Sequence, residues 1–150
     1  MPPPGAHEFK ALQTAPDYGQ SLAMTRVLFI GLAGALGTLA RYGVAVWAGR
    51  ALGTTFPYGT LIVNLMGCFL IAFVSQLALS TTLISPTLRL TLTTGFMGGL
   101  TTYSAFDFET TILLKERAWG GAALYVGVTL VGCFAAGLLG LAVARRFAEA

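Results

Sequence analysis

The sequence predicts an all-α membrane protein of four transmembrane helices, the third of them broken, and three observations predict it. Apolar residues make up 55% of the 150-residue chain and charged residues 10%, against roughly a quarter charged in ordinary soluble domains. Four stretches, at 26–48, 57–79, 86–107 and 118–143, reach the roughly 20 apolar residues that a 30 Å hydrocarbon core requires of a helix. The third stretch contains Gly95-Phe96-Met97-Gly98-Gly99-Leu100-Thr101-Thr102, whose glycines and paired threonines are poor helix formers. Short connections make the four helices antiparallel neighbours in one domain, residues 25–148. So little chain lies outside them that a soluble catalytic domain is excluded, and no enzyme is expected. The formal net charge of +3 comes mostly from arginines at helix ends; it suits anionic lipid headgroups and makes no case for nucleic acid.

Residues 1–24 differ in kind. Pro2, Pro3, Pro4, Gly5 and Pro16 with scattered charge and no apolar periodicity read as a flexible N-terminal tail. The tail lacks the apolar core of a secretory signal, and its His7 has no expected role. Met24 directly precedes the first span and is an alternative start of translation.

The first span pairs Gly31 with Ala35 and Ala33 with Gly37, small-xxx-small spacings that let helices approach closely in lipid. Arg41 lies about 22 Å beyond Arg26 at 1.5 Å of rise per residue. An arginine at that depth faces a cavity or partner, or snorkels to the interface. The second span opens at Pro57, and Thr60, Asn64 and Gly67 share one of its faces. Asn64 is the only asparagine in the chain. Surrounded by Leu61, Ile62, Val63, Leu65 and Met66, its amide needs partners. It either cross-links helices or offers N–H donors to a desolvated anion.

The third span breaks at its glycines. In a bilayer, irregular backbone is tolerated where it is buried in protein or lines a wet cavity, and freed carbonyls form a cation site. Tyr103 and Phe106 share a face if helix resumes after the break. An ion site and a glycine-rich helix interface are the two readings. In the fourth span Tyr125, Thr129 and Cys133 recur every four residues as a semi-polar stripe, whose hydroxyls either bond back to their own helix or offer a track of donors. Cys68 and Cys133 have no redox or metal spacing and read as small hydrophobes. No acidic residue lies between Asp17 and Asp107. Asp107, Glu109 and Glu116 sit at or beyond the end of the third span. A small proton-coupled multidrug or cation exporter, the main alternative, needs a carboxylate well inside the bundle. A purely structural membrane protein would leave Asn64 and the break without a task.

Three motifs in order, Gly34-Ala35-Leu36-Gly37-Thr38-Leu39-Ala40-Arg41-Tyr42, Gly59 to Phe69 around Asn64, and Gly95 to Phe106, give the chain from Met24 onward a specific likeness. It resembles the small Fluc (CrcB-type) fluoride channels of bacteria and archaea. The resemblance implies a multi-pass protein of the cell membrane that exports cytoplasmic fluoride passively and so limits its toxicity. It implies an antiparallel, dual-topology homodimer with two fluoride pathways. It also implies a structural sodium ion at the dimer centre, held by the main-chain carbonyls of Gly98 and Thr101. Carried over, Asn64 and Thr60 are polar pore residues; Tyr125 and Thr129, from the stripe of the fourth span, are taken into the same fluoride pathway. Arg41 is a vestibule arginine, Glu109 a pore-proximal acid, and Tyr103 and Phe106 the paired pathway aromatics. The chain departs from the family with Tyr103 for a usual Phe, Ala105 for a common Thr, and Val131 and Cys133 where serines are frequent. Tyr103 keeps the electropositive ring edge that faces an anion.

Uncharged donors suit a small, strongly hydrated anion, since several weak contacts replace water and still let the ion leave. The membrane potential supplies about 2.3 kcal/mol per charge for each 100 mV, so no pump is needed. Lys10, Arg26, Arg89, Arg145 and Arg146 fall on one side and Arg50, Lys115 and Arg117 on the other. Five against three, or four against three from Met24, is too small a bias to force a single orientation.

Overall fold

The computed structural model describes residues 18–149. Of the expected tail, residues 1–17, with His7 and Lys10, lie outside the described residues, whereas Tyr18 onward is already helical. Helix α1 spans Tyr18–Leu52 and stops at Gly53, whose φ of +87° is the left-handed conformation that glycine adopts freely. Helix α2, Tyr58–Ser80, follows Pro57, whose carbonyl accepts the Leu61 N–H at 3.2 Å. A short α3, Pro86–Leu90, is capped by Ser85, which accepts the Leu88 N–H. The chain then runs through a π-helical Thr91–Met97 into α4, Gly98–Leu100. Thr101 and Thr102 are extended, with ψ of 157° and 121°, before α5, Tyr103–Lys115. Arg117, at φ 59°, turns the chain into α6, Trp119–Glu149. No strand occurs among the described residues.

Residues 23–52 of α1, together with α2 and α6, are long and apolar enough to cross a membrane. The stretch expected as the third crossing is divided among shorter elements. Within the π-helical turn, the Thr91 and Thr93 hydroxyls donate back to the carbonyls of Thr87 (2.9 Å) and Arg89 (2.8 Å), a pattern that competes with the regular ladder.

Two close-packed seams hold the elements. Along the first, α2 lies on α6 in the parallel sense: Gly132 faces Leu65, Gly137 the Cys68 carbonyl and Gly140 the Phe69 carbonyl. At Gly140 a Cβ atom would collide with that carbonyl, so only glycine permits this approach. Along the second, α1 meets residues 91–100, with Gly37 against the Phe96 carbonyl and Gly99 against Gly34. The two small-residue pairs of α1 therefore divide. Ala33 and Gly37 are buried in this seam, while Gly31 and Ala35 are exposed. One buried cluster joins Leu61, Phe106 and Tyr125, with Phe56, Leu65, Leu113 and Val126 packed around it. Large apolar side chains such as Leu28, Leu32 and Leu36 on α1 and Leu130, Phe134 and Leu138 on α6 point outward, a surface suited to hydrocarbon.

Candidate functional site

The polar residues of α2 and α6 recur every four positions, on two helices that run in the same sense. Thr60 accordingly stands opposite Tyr125, and Asn64 opposite Thr129, as successive rungs of one ladder. The first rung is closed by a third element. Thr60 Oγ1 donates to Glu109 Oε1 at 2.8 Å, and the Tyr125 hydroxyl donates to Glu109 Oε2 at 2.7 Å. Tyr125 is fully buried, with Phe56 edge-on to its ring (5.4 Å between centroids) and Phe106 tilted against it (5.1 Å). Glu109, expected at or beyond the end of the third span and, by the resemblance, near the pore, thus reaches the first rung from α5. Because α5 restarts at Tyr103, Glu109 stands one turn after Phe106 on the same inward face, and each carboxylate oxygen holds one hydroxyl.

The second rung works through backbone. Asn64 Nδ2 donates to the Thr102 carbonyl (3.0 Å) while its Oδ1 accepts the Thr102 N–H (2.8 Å). The amide thus clasps both backbone groups of Thr102, one from each of the two peptide units that flank it, and one Nδ2 hydrogen is left over from this clasp. Across from it, Thr129 is buried, and its Oγ1 has no hydrogen-bond partner among the described residues. It does not bond back to its own helix. Buried hydroxyls are rarely left so.

A cavity borders each of the two rungs. One, of about 360 Å³, is lined by Thr60, Glu109, Glu116, Phe56 and Tyr58 among others. The other, of about 370 Å³, is lined by Asn64, Thr129, Phe106 and Tyr103 together with Gly98, Thr101 and Thr102. Tyr103 is exposed with its ring 5.6 Å from that of Phe106, so the two aromatics do share a face. Seven of the expected residues, Thr60, Asn64, Tyr103, Phe106, Glu109, Tyr125 and Thr129, come together here. Arg41 does not join them: it is half-buried on α1, one turn before Ala45, which abuts Gly59, and it lines neither cavity.

Gly98 and Thr101 show why their carbonyls are distinctive. In a continuous helix the Thr102 N–H would serve the Gly98 carbonyl and the Ala105 N–H that of Thr101. Here Thr102 N–H goes to Asn64, and Ala105 N–H goes to the Thr102 hydroxyl at 3.2 Å. Both carbonyls lose their usual donor. Thr102 and Phe56 are site residues that the sequence did not single out. A threonine directly before a resumed apolar helix is a capping signal that could have found Thr102. Phe56, in the loop ahead of α2, carried no comparable signal.

Comparisons with known proteins identify relatives of this chain. A family model described as "CrcB-like protein, Camphor Resistance (CrcB)" matches residues 28–141. A protein of Sorangium cellulosum named as a fluoride-specific ion channel is 51% identical over 123 residues, covering 82% of this chain and 97% of its own length. One of the same name from Chlorobium chlorochromatii is 48% identical over 122 residues, covering 81% and 94% respectively, and one from Geobacter metallireducens is 47% identical over 82% of this chain and 99% of itself. With the family model spanning most of its length and such relatives matched nearly end to end, this chain belongs to the CrcB-like family.

Proposed function

We propose that the protein is a fluoride-specific ion channel, a multi-pass protein of the cell membrane that lets cytoplasmic fluoride leave passively. The observation that carries the reading in this chain is the unpartnered Thr129 hydroxyl, buried in a cavity beside Asn64 and the Phe106 ring. A donor without a protein acceptor, next to a spare amide hydrogen and ring edges, is arranged for a small anion that supplies the missing acceptor. The ion passes from the cavity at Glu109 and Glu116, by the Thr60–Glu109–Tyr125 rung, to the cavity at Asn64. Both Glu109 oxygens already hold hydroxyls, so the carboxylate acts as a fixed acceptor that aims them rather than as a proton carrier. Fluoride efflux from liposomes should continue only with a potassium ionophore present, and chloride should not move. Equal chloride flux, or a requirement for a proton gradient, would sink the reading.

Residues 86–115 form the third crossing, interrupted at Thr101–Thr102. The chain acts as an antiparallel homodimer in which the exposed outer face of α1, with Gly31 and Ala35, meets lipid or the second copy, and Arg41 belongs to a vestibule. The near-balance of cationic residues supports both orientations from one sequence. Accessibility labelling of a cysteine placed in the 53–57 loop should find about half the copies on each side of the membrane, and labelling from one side alone refutes dual topology.

The main-chain carbonyls of Gly98 and Thr101 fit a sodium ion shared between two copies. They are uncharged oxygens released from helix bonding, the donor set of a hard monovalent cation rather than of calcium or magnesium. Sodium there would neutralise the facing carbonyl dipoles and hold the two interrupted segments together. Exchanging sodium for a much larger cation should lower the fluoride flux and the melting temperature of the dimer together. An unchanged melting temperature after exhaustive exchange counts against the site.

A further inference from the structure

The ladder has a third rung. Cys68 follows Asn64 by one turn on α2, and Cys133 follows Thr129 by one turn on α6, at the same offset that pairs the two rungs before them. Both thiols are free and half-buried, and their side chains interact with each other. Both line the cavity of Asn64, Phe106 and Thr129. Both also line a second hollow of about 470 Å³, otherwise walled by apolar residues such as Ile71, Leu130 and Phe134. No group of three or more His, Cys, Asp or Glu occurs among the described residues, so no four-ligand zinc cage is available.

We propose that Cys68 and Cys133 form a two-thiolate site for a soft divalent cation, of which Hg²⁺ is the representative. Sulfur selects soft metals, and two facing sulfurs satisfy an ion that accepts two ligands in line. Charge decides between soft ions of different valence. Two thiolates and one divalent cation make a neutral unit, whereas a monovalent soft ion would leave a net negative charge among apolar walls, which is costly. The step is a substitution without redox change: each S–H loses its proton to water and two S–metal bonds form. The bound ion sits one helical turn from Asn64 and Thr129, inside the cavity through which the proposed fluoride path runs. On that reading it obstructs the channel, so the site is one of inhibition by thiophilic metals.

The full-length protein is titrated with Hg²⁺ in the presence of a competing small monothiol, and maleimide-reactive cysteines are counted by intact mass. One Hg²⁺ per chain should protect both cysteines. Cys68→Ala and Cys133→Ala should each weaken retention of mercury against the monothiol by at least about a hundredfold, the advantage of a second ligand held in place. Two ions per chain, or either variant holding mercury as tightly as the parent, overturns the paired site. In liposomes, Hg²⁺ should stop fluoride efflux and excess dithiothreitol should restore it. One bound ion per chain with unchanged efflux overturns the placement in the pathway. A protein that binds mercury through both thiols yet passes no fluoride before metal is added upholds the site and refutes the channel reading instead.

Discussion

The first two rungs of the ladder set uncharged polar side chains on the same pair of helices, yet they end in opposite hydrogen-bonding states. At Thr60–Tyr125 every hydroxyl is engaged, because Glu109 offers one oxygen to each at 2.8 and 2.7 Å. At Asn64–Thr129 the amide clasps Thr102, and the Thr129 hydroxyl has no partner. The difference arises from where α5 restarts. Capped by Thr102, the helix brings Phe106 and Glu109 inward at successive turns, so an acid reaches the first rung while an aromatic ring reaches the cavity of the second. A saturated rung orients and holds; an unsaturated one is available to something that is not protein. The same chemistry thus serves architecture at one level and, on the proposed reading, the ion at the next.

The largest effect is expected where both states meet, at Asn64. In Asn64→Asp one oxygen still accepts the Thr102 N–H, but the other replaces a donor and faces the Thr102 carbonyl, acceptor against acceptor. The introduced charge also repels an anion at short range. Fluoride efflux should fall to the background of empty liposomes, and the clasp of the interrupted segment should loosen, read as faster amide exchange at 101–103. Loss of efflux with unaltered exchange would show that Asn64 acts on the ion alone; retained efflux would remove it from the pathway.

A smaller loss of transport with a larger loss of stability is expected from Glu109→Ala. Removing the acceptor leaves the fully buried Tyr125 hydroxyl and that of Thr60 unmatched, and each orphaned buried group costs about 1–3 kcal/mol. A variant that melts like the parent would mean that the first rung is not the saturated, structural one.

These contrasts mark what the sequence could and could not disclose. The stripes Thr60–Asn64 and Tyr125–Thr129–Cys133 were legible because a four-residue repeat is a local property of one helix. That they align into rungs was not, since it depends on α2 and α6 running parallel at a glycine-lined seam. The contacts of Glu109 were hidden for a related reason: its hydroxyl partners lie on two other helices, and the extended Thr101–Thr102 pair resets the phase of the helix that carries it. The glycine-rich stretch pointed to irregular backbone, but sequence spacing did not place the π-helical turn at Thr91–Met97. The Asn64 clasp was the least legible feature, because either a helix cross-link or an anion donor satisfies the rule that a buried amide needs partners. The structure has it hold both backbone groups of one residue, Thr102, in an interrupted segment.

The smallest expected effect separates the two rungs most sharply. Thr129→Val keeps the shape of the side chain and removes only the hydroxyl. If that hydroxyl were an ordinary packing group with a partner, its loss would destabilise the protein. Because it is buried and unpartnered, its removal relieves an unmatched polar group, and stability should hold or rise by about 1 kcal/mol. Transport should move the other way, falling roughly two- to fivefold as one of several weak ion contacts disappears. A threonine serving only the fold cannot give this opposed pair of signs, since its replacement would leave efflux unchanged or lower both quantities together. Thr129→Ser supplies the complementary arm: it retains the donor while losing a methyl group, so efflux should stay near the parent level as stability drops by about 1 kcal/mol. Efflux that followed the methyl group rather than the hydroxyl would assign this rung to packing, and with it the argument that the unpartnered donor waits for an anion.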